Sequence, residues 1–335
     1  MHIGKSYSIT EFIFWTRRKI FLLLIIAALP TILYQVLDIK WLTVPWPVVA
    51  LVGTAAAFQV GFRNSQTYNR TWEARQVWGS IISSSRSFAL MCRDFIGDEE
   101  RSREIIYRHF AWLTSLRHQL RSQRNWETVD NAANKEYRQY YSIPERDTPL
   151  EKELLLYLTK EEVESIWSKD NKAVQLLSLQ SNALKKTHHD GLLDNYRFMG
   201  MHTLIREFSE HQGKSERIKN FPYPRQYATV NKLFVNLFCI LLPFSFLTEF
   251  NALNYKVSGM MQGYMVWLVI PFSALISWIY TSLEQVGEST ENPFEGSPND
   301  VPISQMSRTV EIEIREMLGE TNLPQIMLAT NDILL

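Results

Sequence analysis

Four apolar runs stand out along this chain, at residues 20–37, 44–62, 232–247 and 262–283, with a long polar stretch between the second and the third. The second run leads, with no Pro or cluster of turn residues between, into polar, Arg-rich sequence, so residues 45–79 predict one helix that starts apolar and ends hydrophilic. Its apolar part, residues 44–62, is about 28 Å long as α-helix, close to the hydrocarbon thickness of a bilayer. Two rows with a spacing of four run along it. Gly53, Ala57 and Gly61 form a small-residue row that lets a neighbouring helix approach closely in lipid. Thr54, Phe58 and Phe62 form a bulkier row one residue further round. A packing row beside a bulky row suits a helix lining an oligomeric pore, with the bulky row as its constriction. Ordinary packing of membrane helices produces the same spacing, so the pattern permits both readings.

The remaining runs predict three more spans. Thr16-Arg17-Arg18-Lys19 abuts the first, which contains Pro30. Arg63, Arg70 and Arg75 follow the second, and Arg217, Lys219, Arg225 and Lys232 precede or open the third. Basic residues on those flanks place residues 1–19, 63–230 and 284–335 on the cytoplasmic side, with hairpins at 20–62 and 231–283 in the membrane and both termini inside. Between the hairpins, Ile105, Ile106, Phe110, Leu113, Leu116 and Leu120 recur with a helical period, as do apolar positions in 150–167, 171–186 and 192–208. Residues 125–149 are polar and turn-rich and predict a loop punctuated by Pro144 and Pro149. No useful length alternates with period two. After 302, the stripe Ile303, Met306, Val310, Ile314, Met317 and Leu318 predicts an amphipathic helix that Gly319 ends. The fold class is all-α.

Composition narrows the function. The 335 residues carry 35 basic and 35 acidic side chains, which argues against a nucleic-acid binder, whose phosphate contacts demand a basic excess. Cys92 and Cys239 are the only cysteines and give neither a disulfide framework nor a CxxC site. No small-residue cleavage site follows the first apolar run, so a cleavable signal is not expected. No nucleophile elbow, P-loop, dinucleotide fingerprint or HExxH occurs, so no enzyme and no cofactor is expected. Adjacent His188 and His189 point about 100° apart on a helix. With Asp190 and Gly191 they read as a turn rather than a metal site, and His109 and His118 as packing or surface residues. Glu288, Glu291, Asn299 and Asp300 form an acidic tail in which Asp300 is a secondary Ca²⁺ candidate; solvated charges and a cap for the next helix are preferred. No Asp, Glu, Lys or Arg lies in 45–62, where proton-coupled transporters usually place a carboxylate or His. That favours passive permeation, and a hydrophobic constriction can gate by dewetting.

Three stretches resemble the bestrophin family of ion channels. They are Gly61-Phe62-Arg63-Asn64 with Tyr68-Asn69-Arg70-Thr71-Trp72-Glu73-Ala74-Arg75 and Trp78-Gly79; Ser215-Glu216-Arg217-Ile218-Lys219-Asn220 with Pro222, Pro224 and Phe238-Cys239-Ile240-Leu241-Leu242-Pro243-Phe244; and Glu291-Asn292-Pro293-Phe294 with Pro298-Asn299-Asp300 and the run from Arg308 to Leu318. The resemblance implies a homopentamer in a lipid bilayer, with four transmembrane helices per subunit, a helical cytosolic domain and one central pore. It places the neck on Thr54, Phe58 and Phe62 and a second, cytosolic aperture near Leu193. Thr54 departs from the usual aliphatic neck, which implies a wetter outer ring. The Glu295-Gly296-Ser297-Pro298-Asn299-Asp300 tail lacks most of the carboxylates of the animal Ca²⁺ clasp, which implies gating independent of Ca²⁺.

The chain is therefore read as a passive channel of a bacterial inner membrane, conducting chloride or other small monovalent anions. A sodium- or potassium-conducting channel of the same fold and a non-conducting scaffold or regulatory subunit are the alternatives.

Overall fold

The computed structural model describes residues 1–128 and 131–335. Its helices are α1 (Ile9–Gln35), α2 (Trp46–Phe95), α3 (Glu99–Arg121), α4 (Ala132–Tyr137), α5 (Pro144–Asp147), α6 (Leu150–Leu154), α7 (Lys160–Trp167), α8 (Lys172–His189), α9 (Asn195–Asn220), α10 (Arg225–Leu253), α11 (Val269–Ser289) and α12 (Ile303–Met317). Among the described residues the only β pairing is two isolated bridges at Ile333, to His2 and Thr330. The all-α expectation is met.

The chain divides into two units. One comprises residues 5–69 and 223–291, the other residues 1–4, 70–222 and 292–335. In the first, α1, the apolar start of α2, α10 and α11 pack around Leu23, Val49, Ala56, Val60, Val235, Phe238 and Leu242. Helix α1 begins earlier than its apolar run because Ser8 and Glu11 form a capping box, so Arg17, Arg18 and Lys19 lie inside the helix. Pro30 removes one backbone donor from α1, and next to it the Thr31 hydroxyl donates to the Ala27 carbonyl at 2.8 Å. Helices 225–253 and 265–289 (the latter including a 3₁₀ turn, Met265–Leu268) are long and apolar enough to cross a membrane. Helix α1 leaves Phe21, Leu22, Ile25 and Leu29 uncovered within the chain.

The second unit is a helical bundle whose core holds Trp78, Phe88, Trp112 and Phe208. Phe208 meets Phe88 edge-on at 5.7 Å and Trp112 at 5.0 Å between ring centroids. The Trp112 indole N–H, too polar to bury alone, donates to Gln212 Oε1 at 2.9 Å. The loop expected at 125–149 is corrected: α4, a 3₁₀ turn at Arg138–Tyr140 and α5 lie there, while residues 129 and 130 are outside the described residues. Turn-forming composition hid these helices because each is only one or two turns long. The tail helix has the expected buried stripe of Ile303, Val310 and Ile314, and Gly319, at φ +74°, follows its end.

Candidate functional site

Helix α2 positions the site. On its covered side, Val49, Ala56, Val60, Arg63 and Thr67 are buried within the chain. On the other side Thr54, Phe58 and Phe62 are all exposed, the two rings by 73% and 42%. Large aromatic side chains left open at helical spacing need a partner outside the chain. Phe62 has one neighbour inside it, the Tyr227 ring at 6.2 Å. Thr54 donates its hydroxyl to the Ala50 carbonyl at 2.9 Å, so that donor is spent inside the helix.

The small-residue row divides. A Cβ on Gly53 would sit 2.6 Å from the Phe238 ring, and the Tyr280 hydroxyl donates to the Gly53 carbonyl at 3.3 Å. Gly53 thus packs within its own chain. Ala57 is exposed, and a Cβ on Gly61 would meet nothing within 4 Å.

Directly below the row lies a buried ion network that sequence reasoning missed. Arg63 pairs with Glu284 at 3.2 Å and Glu291 at 2.9 Å; Lys19 reaches Glu284 at 2.9 Å and Arg225 reaches Glu291 at 3.0 Å. Arg63 is the residue that can bridge two carboxylates, because its planar fork offers donors on two nitrogens. A signal was present: one apolar run ends in Arg63 and another in Glu284, residues of opposite charge at equivalent positions. Asn64 Nδ2 donates to the Leu283 carbonyl at 3.1 Å, and a Cβ on Gly287 would collide with Asn64.

The remaining expected residues are structural in this chain. Leu193, expected near the cytosolic aperture, is 2% exposed within the single chain and belongs to the core of the second unit. Its neighbour at the start of α9, Tyr196, is the exposed one, at 92%. His188 is the last but one residue of α8, with Nδ1 2.7 Å from the Leu193 carbonyl, and stacks on Phe198; Gly191, at φ +78°, makes the turn. His109 is buried beside Ser85 Oγ at 2.8 Å, and burial lowers its pKa to about 3, so it stays neutral.

The preferred reading of the acidic tail, solvated charge, is also corrected. Glu291, Glu295 and Asp300 are all buried. Asp300 takes an ion pair from Arg121 at 2.9 Å and hydrogen bonds from the Gly296 N–H and the Ser297 hydroxyl, both at 2.6 Å. Its acceptors are therefore committed to the protein. Glu295 accepts from the Thr128 N–H at 2.9 Å and the Thr128 hydroxyl at 3.0 Å. Burial, with Asp300 adding to it, pushes the Glu295 carboxyl up to about 8.

The profile of the bacterial and fungal bestrophin proteins matches residues 11–316. The chain belongs to that family. This bestrophin is 27% identical over 292 residues to the voltage-dependent anion channel-forming protein YneE of Escherichia coli, covering 87% of this chain and 82% of that protein. A Mesorhizobium japonicum protein also named as voltage-dependent anion channel-forming is 24% identical, over 81% and 74% of the two chains. A crystal structure of a bacterial bestrophin homologue from Klebsiella pneumoniae has the same fold, with a TM-score of 0.75 and 24% identity over 91% of this chain and 98% of that one. Within this bestrophin the resembling motifs are anchors: Arg63 of the first binds Glu291 of the third, and Phe294 packs 6.3 Å from Trp78.

Proposed function

We propose that this bestrophin assembles as a homopentamer and conducts chloride or other small monovalent anions across a bacterial inner membrane. Four spans per subunit, α1, the first half of α2, α10 and α11, cross the bilayer, with both termini cytoplasmic. The neck is the ring of Thr54, Phe58 and Phe62 from five copies of α2. One observation carries the reading: a membrane-length helix without a single ionisable group between 45 and 62 leaves its two phenylalanines uncovered on one row. A ring of such side chains makes a constriction that passes ions by wetting and dewetting and offers no proton-coupling group. The relatives named as anion channel-forming proteins support the sign of the ion. Thr54 keeps its methyl group and a back-bonded hydroxyl at the outer ring, which makes that ring less wet than a free hydroxyl would.

The test is the reversal potential of purified protein in a planar bilayer under a KCl gradient. A shift toward the chloride equilibrium potential is expected, and Phe58→Ala with Phe62→Ala should raise single-channel conductance several-fold. A shift toward the potassium potential would reverse the assigned sign. No current from either protein, in a preparation of pentamers, would favour the scaffold.

A further inference from the structure

A cleft of about 450 Å³ opens in the second unit between α3, α7 and α8. Its size is that of a small-molecule site. Four permanent cations line it: Arg101 and Arg108 from α3, Lys185 and Lys186 from α8. Only two carboxylates, Glu104 and Glu162, face them, and both are already used by the arginines. Arg108 contacts Glu104 at 2.8 Å and Glu162 at 3.1 Å, and Arg101 shares Glu104 at 3.3 Å. That leaves Lys185 and Lys186 with no acidic partner among the described residues. It also leaves Arg108 Nη1, on a side chain 6% exposed, with no hydrogen-bond acceptor. A buried donor without an acceptor costs free energy, and a shift of the Arg108 side chain toward an anion in the cleft would recover it.

Lysines in the last turn of a helix also complement its dipole, which accounts for Lys186 but not for two arginines brought to the same cleft from α3. Leu179 and Ala183 add an apolar wall and Asn182 an amide, so the space holds more than a bare oxyanion. We propose that this cleft binds a phosphate-bearing small molecule, with the phosphate between Lys185, Lys186 and Arg108. Arginine and lysine together are the usual donors to a phosphate group, Arg through its fork and Lys as a point charge. The site lies within one unit of one chain and does not depend on conduction.

Titration calorimetry of the purified full chain with inorganic phosphate, ribose 5-phosphate and ribose tests it. Saturable binding of ribose 5-phosphate and none of ribose is expected. The double variant Lys185→Ala with Lys186→Ala, at two exposed positions, should keep the wild-type melting temperature and bind at least tenfold more weakly. Equal affinity for inorganic phosphate and the ester would name free phosphate as the occupant; tenfold tighter ester binding would name an organic phosphate. Saturable binding of neither phosphate compound, equal binding of ribose, or undiminished binding by the double variant would overturn the proposal. Phe58→Ala with Phe62→Ala should leave this binding unchanged, which separates it from the pore.

Discussion

Arg63 shows how one residue can hold a span in register. Its guanidinium is buried between Glu284 and Glu291, so removing it leaves two buried carboxylates short of a partner. Breaking a buried pair in this way costs about 3–5 kcal/mol, and the lower end applies here because Lys19 and Arg225 remain. Arg63→Ala should therefore lower the melting temperature in detergent clearly, and Arg63→Lys by less; an unchanged melt would show the network to be idle. Glu295 makes a prediction about pH. Its carboxyl titrates near 8 in the folded chain instead of near 4.5, so the folded state holds a proton there that the unfolded state has lost. The contribution of this group to stability is therefore fully present below pH 4.5 and is lost as pH rises toward 8. Glu295→Gln has no proton to lose. Its melting temperature relative to wild type should rise between pH 5.5 and pH 8, and a constant difference would contradict the buried-acid account.

At the scale of the element, α2 serves two surfaces with neighbouring residues. Gly53 is filled against Phe238 within the chain, whereas Gly61 is open. Gly53→Ala should cost about 1–3 kcal/mol by overpacking, seen as a lower melting temperature. Gly61→Leu should leave the melting of the chain near wild type and reduce the pentamer fraction in size-exclusion chromatography with light scattering. A Gly61→Leu protein that stays fully pentameric would remove the subunit contact assigned to that row. Spacing made Gly53, Ala57 and Gly61 equivalent, and only the position of Phe238 distinguishes them.

For the whole molecule, the proposal requires a particle with a protein mass close to five times 39.2 kDa. Light scattering of the purified chain should give that value; a monomer or dimer would leave the exposed Phe58 and Phe62 without the ring that explains them. The two units have different chemistry. The first is held by apolar helix faces with one ion network at its polar edge, and the second by an aromatic core with buried pairs such as Arg121–Asp300 and Arg117–Glu145.

The all-α class, the apolar runs, the tail helix with its Gly319 stop and the Thr54, Phe58 and Phe62 row were all legible in the chain. Each rests on local periodicity, and a period of 3.6 is set by neighbours along the sequence. Tertiary structure alone decided which glycine is filled, that Leu193 turns into a core, and that the acidic tail is buried. It alone joined Arg63 to Glu284 and Glu291, 221 and 228 residues away. Burial and ion pairing are properties of residues far apart in the chain, and no window along a single sequence contains both partners.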